Sequence, residues 1–307
     1  MKVQVLRQYL KPAILPLSIV SAIVFRSALR FPSFVAPLLI FMMLLTTFCK
    51  VNIRDIRLTK SDLLLPVTQL VLAAALYLIL RPLGPAISQG VFICIFCPTA
   101  TAAPVVTGLL GGDVAKVTSL SLLSNVVVAI TAPLFFSVIS PMPVSFMASL
   151  LQIAKTVAPL ILLPIISAMI LERVTPRVHA TLRTHQSLSF YLWAIALFIV
   201  VSNAVNFILA DPNVTVTRLI VIAIMALATC LMLFSIGHRI GIRTRQTVAW
   251  TQGLGQKNTI LAIWMASTWL MPEASVAPAC YIICQNIIMS RQIYHHTAVS
   301  QKVKNNC

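Results

Sequence analysis

Ten apolar runs divide the chain, at about 13–29, 33–49, 63–81, 88–111, 115–138, 146–171, 188–209, 217–237, 246–270 and 275–292, with short polar stretches between them. A helix crosses the hydrocarbon of a bilayer with about 20 apolar residues, so each run predicts one membrane span. No charged residue lies between Arg81 and Asp113, and none between Lys116 and Lys155. Ten spans bring both termini to the same side. The pattern predicts an all-α polytopic membrane protein whose single transmembrane domain fills residues 1–307, with 293–307 as a tail. The opening stretch has a basic front and an apolar run but no clear small-x-small cleavage site, so it reads as the first span rather than a signal peptide.

Composition agrees. Hydrophobic residues make up 59% of the 307 and charged residues only 9%, where a soluble domain carries about 25% charged residues. The formal charge of +17 does not point to nucleic acid, because the basic residues sit in short loops rather than on a basic, aromatic-laced face. They instead test the span count. Seventeen of the 23 lie on one side: Lys2, Arg7 and Lys11; Lys50, Arg54, Arg57 and Lys60; Lys116; Arg173, Arg177 and Arg183; Arg239, Arg243 and Arg245; and Arg291, Lys302 and Lys304. Arg26, Arg30, Arg81 and Arg218 lie opposite, while Lys155 and Lys257 fall within spans. The bias places both termini in the cytoplasm. The compact layout fits a bacterial inner membrane.

The chain also matches itself. "ILPLSIVSAIVFR" (14–26) and "LLPIISAMILER" (162–173) share an LP, an SA and a closing arginine, and each opens a set of five spans. Five is odd, so the second set (about 146–292) would be inverted relative to the first (about 13–138), as in many secondary transporters. The fourth span of each set is interrupted. In "CPTATAAPVVTGLLGGD" (97–113), Pro98 and Pro104 each remove an amide donor and free carbonyls in mid-membrane, with Thr99, Thr101 and Thr107 around them. In "TQGLGQKNT" (251–259), two glycines and polar side chains, among them Gln256, Asn258 and Thr259, surround Lys257. Freed backbone groups at membrane depth survive only where protein, water or ligand satisfies them, so the matched pair predicts crossed broken helices around a binding site.

With these motifs the chain resembles the bile acid:sodium symporter family, including its bacterial ten-helix members. The resemblance rests on the "CPTA" of the fourth span, "GQKNTILA" in the ninth, "QIAKTVAPLILLPII" in the sixth, the glutamine of "LLLPVTQLVLAA" and the "QNI" of the tenth. It implies a panel and a core domain, two unwound helices crossing in the core, sodium behind the crossing and an organic anion in front. It also implies that Thr99, Thr101, Pro104, Thr107, Asn258, Thr259, Gln285 and Asn286 line the substrate site. Most of the family's ion ligands are missing. Its Ser-Asn pair is Ala103 and Pro104 here, its two hydroxyls are Val117 and Ser121, and its glutamate and glutamine are Gly253 and Lys257. Gln69, Ser121 and Gln256 remain beside Lys257. Sodium needs several oxygen ligands and tolerates no ammonium beside it, so both sodium sites are expected to be absent or weakened. No other cofactor or metal is called for.

Three jobs are open to Lys257. Its ammonium can replace the ion's charge and hold the unwound carbonyls; it can attract an anionic substrate; or it can titrate and couple transport to protons. The first ranks highest. Lys155, near a span end, reads as snorkelling, and Asp113 as a helix cap. The cysteine pairs Cys94/Cys97 and Cys280/Cys284 read as packing residues. An enzyme is disfavoured, because the acids Asp55, Asp62, Asp113, Glu172, Asp211 and Glu273 all fall in loops or at span ends, and no phosphate-binding loop is present. A sensor would need an output domain, for which the longest loop and the tail are too short. The expected partners are the lipid bilayer and a small organic anion, a bile acid or smaller carboxylate.

Overall fold

The computed structural model describes residues 20–25, 31–32, 34–49, 58–100, 102–140, 146–184, 186–210 and 214–305. The described chain is helical throughout, with a single isolated β-bridge and no strand. After helical residues 20–24 come α1 (Val35–Phe48), α2 (Leu64–Leu80, entered through a 3-10 turn), α3 (Pro85–Phe96), α4 (Ala103–Leu109), α5 (Val114–Ile139) and α6 (Phe146–Val174). The second part holds α7 (Pro176–Thr184), α8 (Gln186–Ala210), α9 (Val216–Thr244), α10 (Thr247–Gly255), α11 (Thr259–Trp269) and α12 (Val276–Asn305). Among the described residues, four helical segments are long and apolar enough to cross a membrane: Lys60–Leu83, Val114–Ile139, Phe146–Val174 and Val216–Thr244. The apolar runs at 88–111 and 246–270 are each two shorter helices with a non-helical link. The final helix runs on to Asn305, past the expected span end near residue 292.

The membrane-length helices are apolar nearly all round, as helices that meet lipid on one face and protein on the other must be, whereas the short α7 is polar. On α9, Ile220, Ile224, Leu227 and Leu231 form an exposed apolar stripe at helical spacing. The opposite face buries Ala226, Cys230, Leu233, Phe234, Gly237 and Gly241. Lipid tails are as apolar as leucine, so helices associate through close packing, and small residues permit the closest approach. Gly237 and Gly241 serve this end. A Cβ on Gly237 would lie 2.6 Å from Trp250 O, and one on Gly241 would lie 2.5 Å from Thr247 Cα. The backbone of α10 therefore rests directly on α9.

The helices pack in two groups. α1 packs on α6 and α8, whereas α9 gathers α3, α10 and α12. α11 touches both α12 and α8. Two ion pairs, one buried and one between buried Glu273 and a partly exposed Arg218, tie further elements to this frame. Asp62 bonds Lys116 and accepts from the Thr59 amide at 2.9 Å, tying the entrance of α2 to the first turn of α5. Lys116 also donates to Thr59 Oγ1 at 2.9 Å. Arg218 at the start of α9 grips both oxygens of Glu273, at 3.0 and 3.2 Å. Asp113 caps α5 as expected, accepting from Lys116 N, and Lys155 is exposed.

The glycine contacts make a direct prediction. Gly241→Val forces α9 off the backbone of α10, and overpacking of this kind costs about 1–3 kcal/mol where the neighbour can shift at all. The detergent-solubilised variant should melt well below the wild type in a fluorescence size-exclusion thermal assay. An unchanged midpoint would show that α9 and α10 are not in this close contact.

Candidate functional site: the crossing of two broken helices

The chain dictates where both helices break. Proline disfavours the α conformation in the residue before it, and Cys97, before Pro98, is extended (φ −60°, ψ 149°). Pro98 has no amide to offer Cys94, so α3 stops at Phe96. Pro104 sits in the first turn of α4, the one place in a helix where a missing N–H costs nothing. Between them lie Thr99, Ala100, Thr101, Ala102 and Ala103, of which Thr101 falls outside the described residues. In the second break, α10 ends at Gly255, whose absent Cβ would otherwise sit 2.6 Å from the Phe234 ring. Gln256 is extended (φ −86°, ψ 120°). Asn258 then starts α11 as its N-cap, its side-chain oxygen accepting from Leu261 N at 3.3 Å.

The two breaks meet. Thr99 and Lys257 form an isolated antiparallel bridge, in which Ala100 N donates to Gln256 O and Asn258 N donates to Pro98 O, each at 2.9 Å. Backbone groups that neither helix can satisfy are thereby satisfied by the other break. Side chains complete the accounting. Thr99 Oγ1 donates to Gly253 O at 2.7 Å, and Tyr281 Oη donates to Gly255 O at 2.7 Å, serving the last carbonyls of α10. Ser124 Oγ accepts from Thr99 N at 3.2 Å and donates to Gln69 Oε1 at 3.0 Å. Gln69 Nε2 in turn donates to Phe96 O, and to Cys97 O at 3.0 Å.

Lys257 closes the set. Its side chain is 1% exposed. Its Nζ donates to Ile95 O at 2.8 Å and Cys97 O at 3.1 Å, the final carbonyls of α3. A cation at a helix C-terminus meets the negative end of the helix dipole. The lysine does not reach for the interface, as a snorkelling residue would. Its backbone is clamped by Gln285, whose Oε1 accepts from Lys257 N at 3.0 Å and whose Nε2 reaches Lys257 O at 3.4 Å.

Of the residues singled out from the sequence, Thr99, Gln69, Lys257, Asn258 and Gln285 converge on the crossing. Thr99 and Gln285 use their polar side-chain atoms to hold the backbone there. Gln256 turns elsewhere: its amide donates to Gln252 Oε1, and Gln252 donates to Gln292, both at 2.8 Å. Ser121 is buried, but the described hydrogen bonds at the crossing run through Ser124, one turn away. Thr259 is buried and begins α11; Pro104 and Asn286 are half-buried. Thr107 Oγ1 and Asn258 Nδ2, on the two restarting helices, are buried without a protein partner among the described residues. Sequence reasoning missed Ser124 and Tyr281. A hydroxyl in an apolar span was their only signal, and many such hydroxyls merely bond their own helix, as Thr131 does. Cys94, Cys97, Cys230 and Cys284 are buried free thiols, and the described residues hold no group of three side chains fit for a metal.

Cys97 O accepts from both Gln69 and Lys257, which makes their contributions interdependent. A buried carbonyl left without a donor costs about 1–3 kcal/mol. Gln69→Leu and Lys257→Met each leave Cys97 O one donor, while the double variant leaves none. The double variant should therefore lose more thermal stability than the two singles together; simple additivity would refute the shared acceptor.

Comparison with known proteins bears on this arrangement. A family model described as Sodium Bile acid symporter family matches residues 36–211, more than half of the chain. The match takes in the first break and ends before the second. A search of curated proteins finds no match.

Proposed function

The chain belongs to the sodium bile acid symporter family, and from that membership we propose that it is a secondary transporter of an organic anion. It works by alternating access around the crossing and without sodium, Lys257 standing where the coupling ion would be. The family consists of membrane transporters, so the chain is an integral membrane protein of a transport family rather than an enzyme. The finer proposal includes ten spans in two inverted sets of five and cytoplasmic termini, supported by the charge bias and the paired breaks.

One observation carries the reading: the Lys257 ammonium donates to Ile95 O and Cys97 O, at the C-terminus of a broken helix and beside Gln69. Carbonyl oxygens converging on a positive charge are what a bound alkali ion would require. Here a covalently attached cation supplies that charge. The alternative job of attracting substrate from an open cavity is disfavoured, because the ammonium is sealed from solvent and faces backbone oxygens. Substrate contacts are assigned instead to Asn258, Thr259, Thr107, Asn286 and Pro104, and to Thr101 on the sequence pattern alone. The unpaired Asn258 amide donor and Thr107 hydroxyl support this assignment, since buried polar atoms without protein partners are expected to meet ligand or water. The substrate class is a bile acid or a smaller carboxylate.

Reconstituted vesicles test the proposal. Anion uptake should persist in sodium-free buffer and should collapse on Lys257→Ala, while Lys155→Ala, at an exposed position, leaves it intact. Strict sodium dependence of the wild type would overturn the role given to Lys257.

A further inference from the structure

A coupling ion leaves with the substrate; a lysine cannot. The Lys257 cation is part of the chain, its Nζ bonded to Ile95 O and Cys97 O and its backbone held on both sides by Gln285. If the crossing shifts within the membrane during transport, Lys257 shifts with it and returns with the empty carrier. Over a complete cycle its net charge displacement is zero.

Among the described residues, no carboxylate lies at the crossing to supply a counter-charge. The titratable neighbours of the ammonium are the thiols Cys94 and Cys97, with the Tyr281 hydroxyl bonded to Gly255 O beyond them. The described carboxylates are all committed or distant: Asp62 to Lys116, Glu273 to Arg218, Asp113 to the cap of α5, and Glu172 exposed at the end of α6. The two remaining acids, Asp55 and Asp211, fall outside the described residues.

Resting on the transporter reading above, we infer that substrate crosses alone, so that each turnover moves the full charge of the anion. The protein is then an electrogenic anion uniporter. In a membrane held negative inside, such a carrier drives its substrate outward, the reverse of what a multi-sodium symporter achieves. For a monoanion the steady-state ratio of internal to external concentration falls tenfold for every ~60 mV of inside-negative potential.

The test uses the purified full chain in sodium-free proteoliposomes, with potential clamped by potassium gradients and valinomycin. Radiolabelled taurocholate and pyruvate serve as probes, and leak is subtracted with protein-free vesicles. The expected result is a tenfold lower internal-to-external ratio at ~60 mV inside-negative than at zero potential. That ratio should not respond to an added sodium gradient or to a pH gradient. Protein-dependent flux that ignores potential, or that accumulates anion along a sodium or proton gradient, overturns electrogenic uniport while leaving the transporter reading standing. Absence of protein-dependent flux for both probes under every gradient overturns the transporter reading and this inference with it.

Discussion

The structure turns on one constraint, that backbone amides and carbonyls at membrane depth have no water to bond. Two helices are broken there, and each break exposes groups that the other satisfies. The ladder Ala100 N to Gln256 O and Asn258 N to Pro98 O pairs the breaks, Thr99, Gln69, Tyr281 and Lys257 donate to further freed carbonyls, and Ser124 accepts from the Thr99 amide. Neither break is tenable alone. Unwinding α3 without α10 opposite would leave several buried acceptors unmet, each costing on the order of a kcal/mol or more.

This dependence explains features that otherwise look unconnected. Glycines on α9 admit the backbone of α10, which sets the depth at which α10 ends. Phe234 then requires glycine at 255, and Tyr281 reaches across from α12 to cap the freed carbonyl of that glycine. The ion pairs at Asp62 and Glu273 anchor the starts of the flanking helices α5 and α9. Each holds a piece of the frame on which the two breaks must register. A cation fits at the centre because the end of α3 presents carbonyl oxygens and the negative end of a helix dipole. On the proposed reading, the replacement of a free ion by this lysine sets what the transporter couples to and which way substrate runs.

Both breaks were legible in the sequence, since Pro98, Pro104 and the glycines around Lys257 are local signals that act through φ and ψ alone. Seven of the apolar runs lie within a few residues of the helices that occupy them, while the helices at 217–237 and 275–292 run on to Thr244 and Asn305; the first run, 13–29, lies mostly outside the described residues. Ser124 and Tyr281 were not legible, because a hydroxyl in a span has the same local appearance whether it bonds its own helix or a distant partner. Gln285 was read as lining a cavity, but its amide pairs with the Lys257 backbone, a role set by a contact 28 residues away.

What the amino-acid sequence determined by itself was therefore the solvent, the helical segments, the points of interruption and the presence of a charge too costly to be idle. Those are consequences of hydropathy and of single-residue backbone preferences, which act over a few neighbours. Tertiary structure alone decided what the charge touches. The partners of Lys257 lie 162 and 160 residues away on another helix, so the choice of groups that its ammonium faces lay beyond any local reading. That choice follows from the packing of α9, α10 and α12 around α3, which no local pattern encodes.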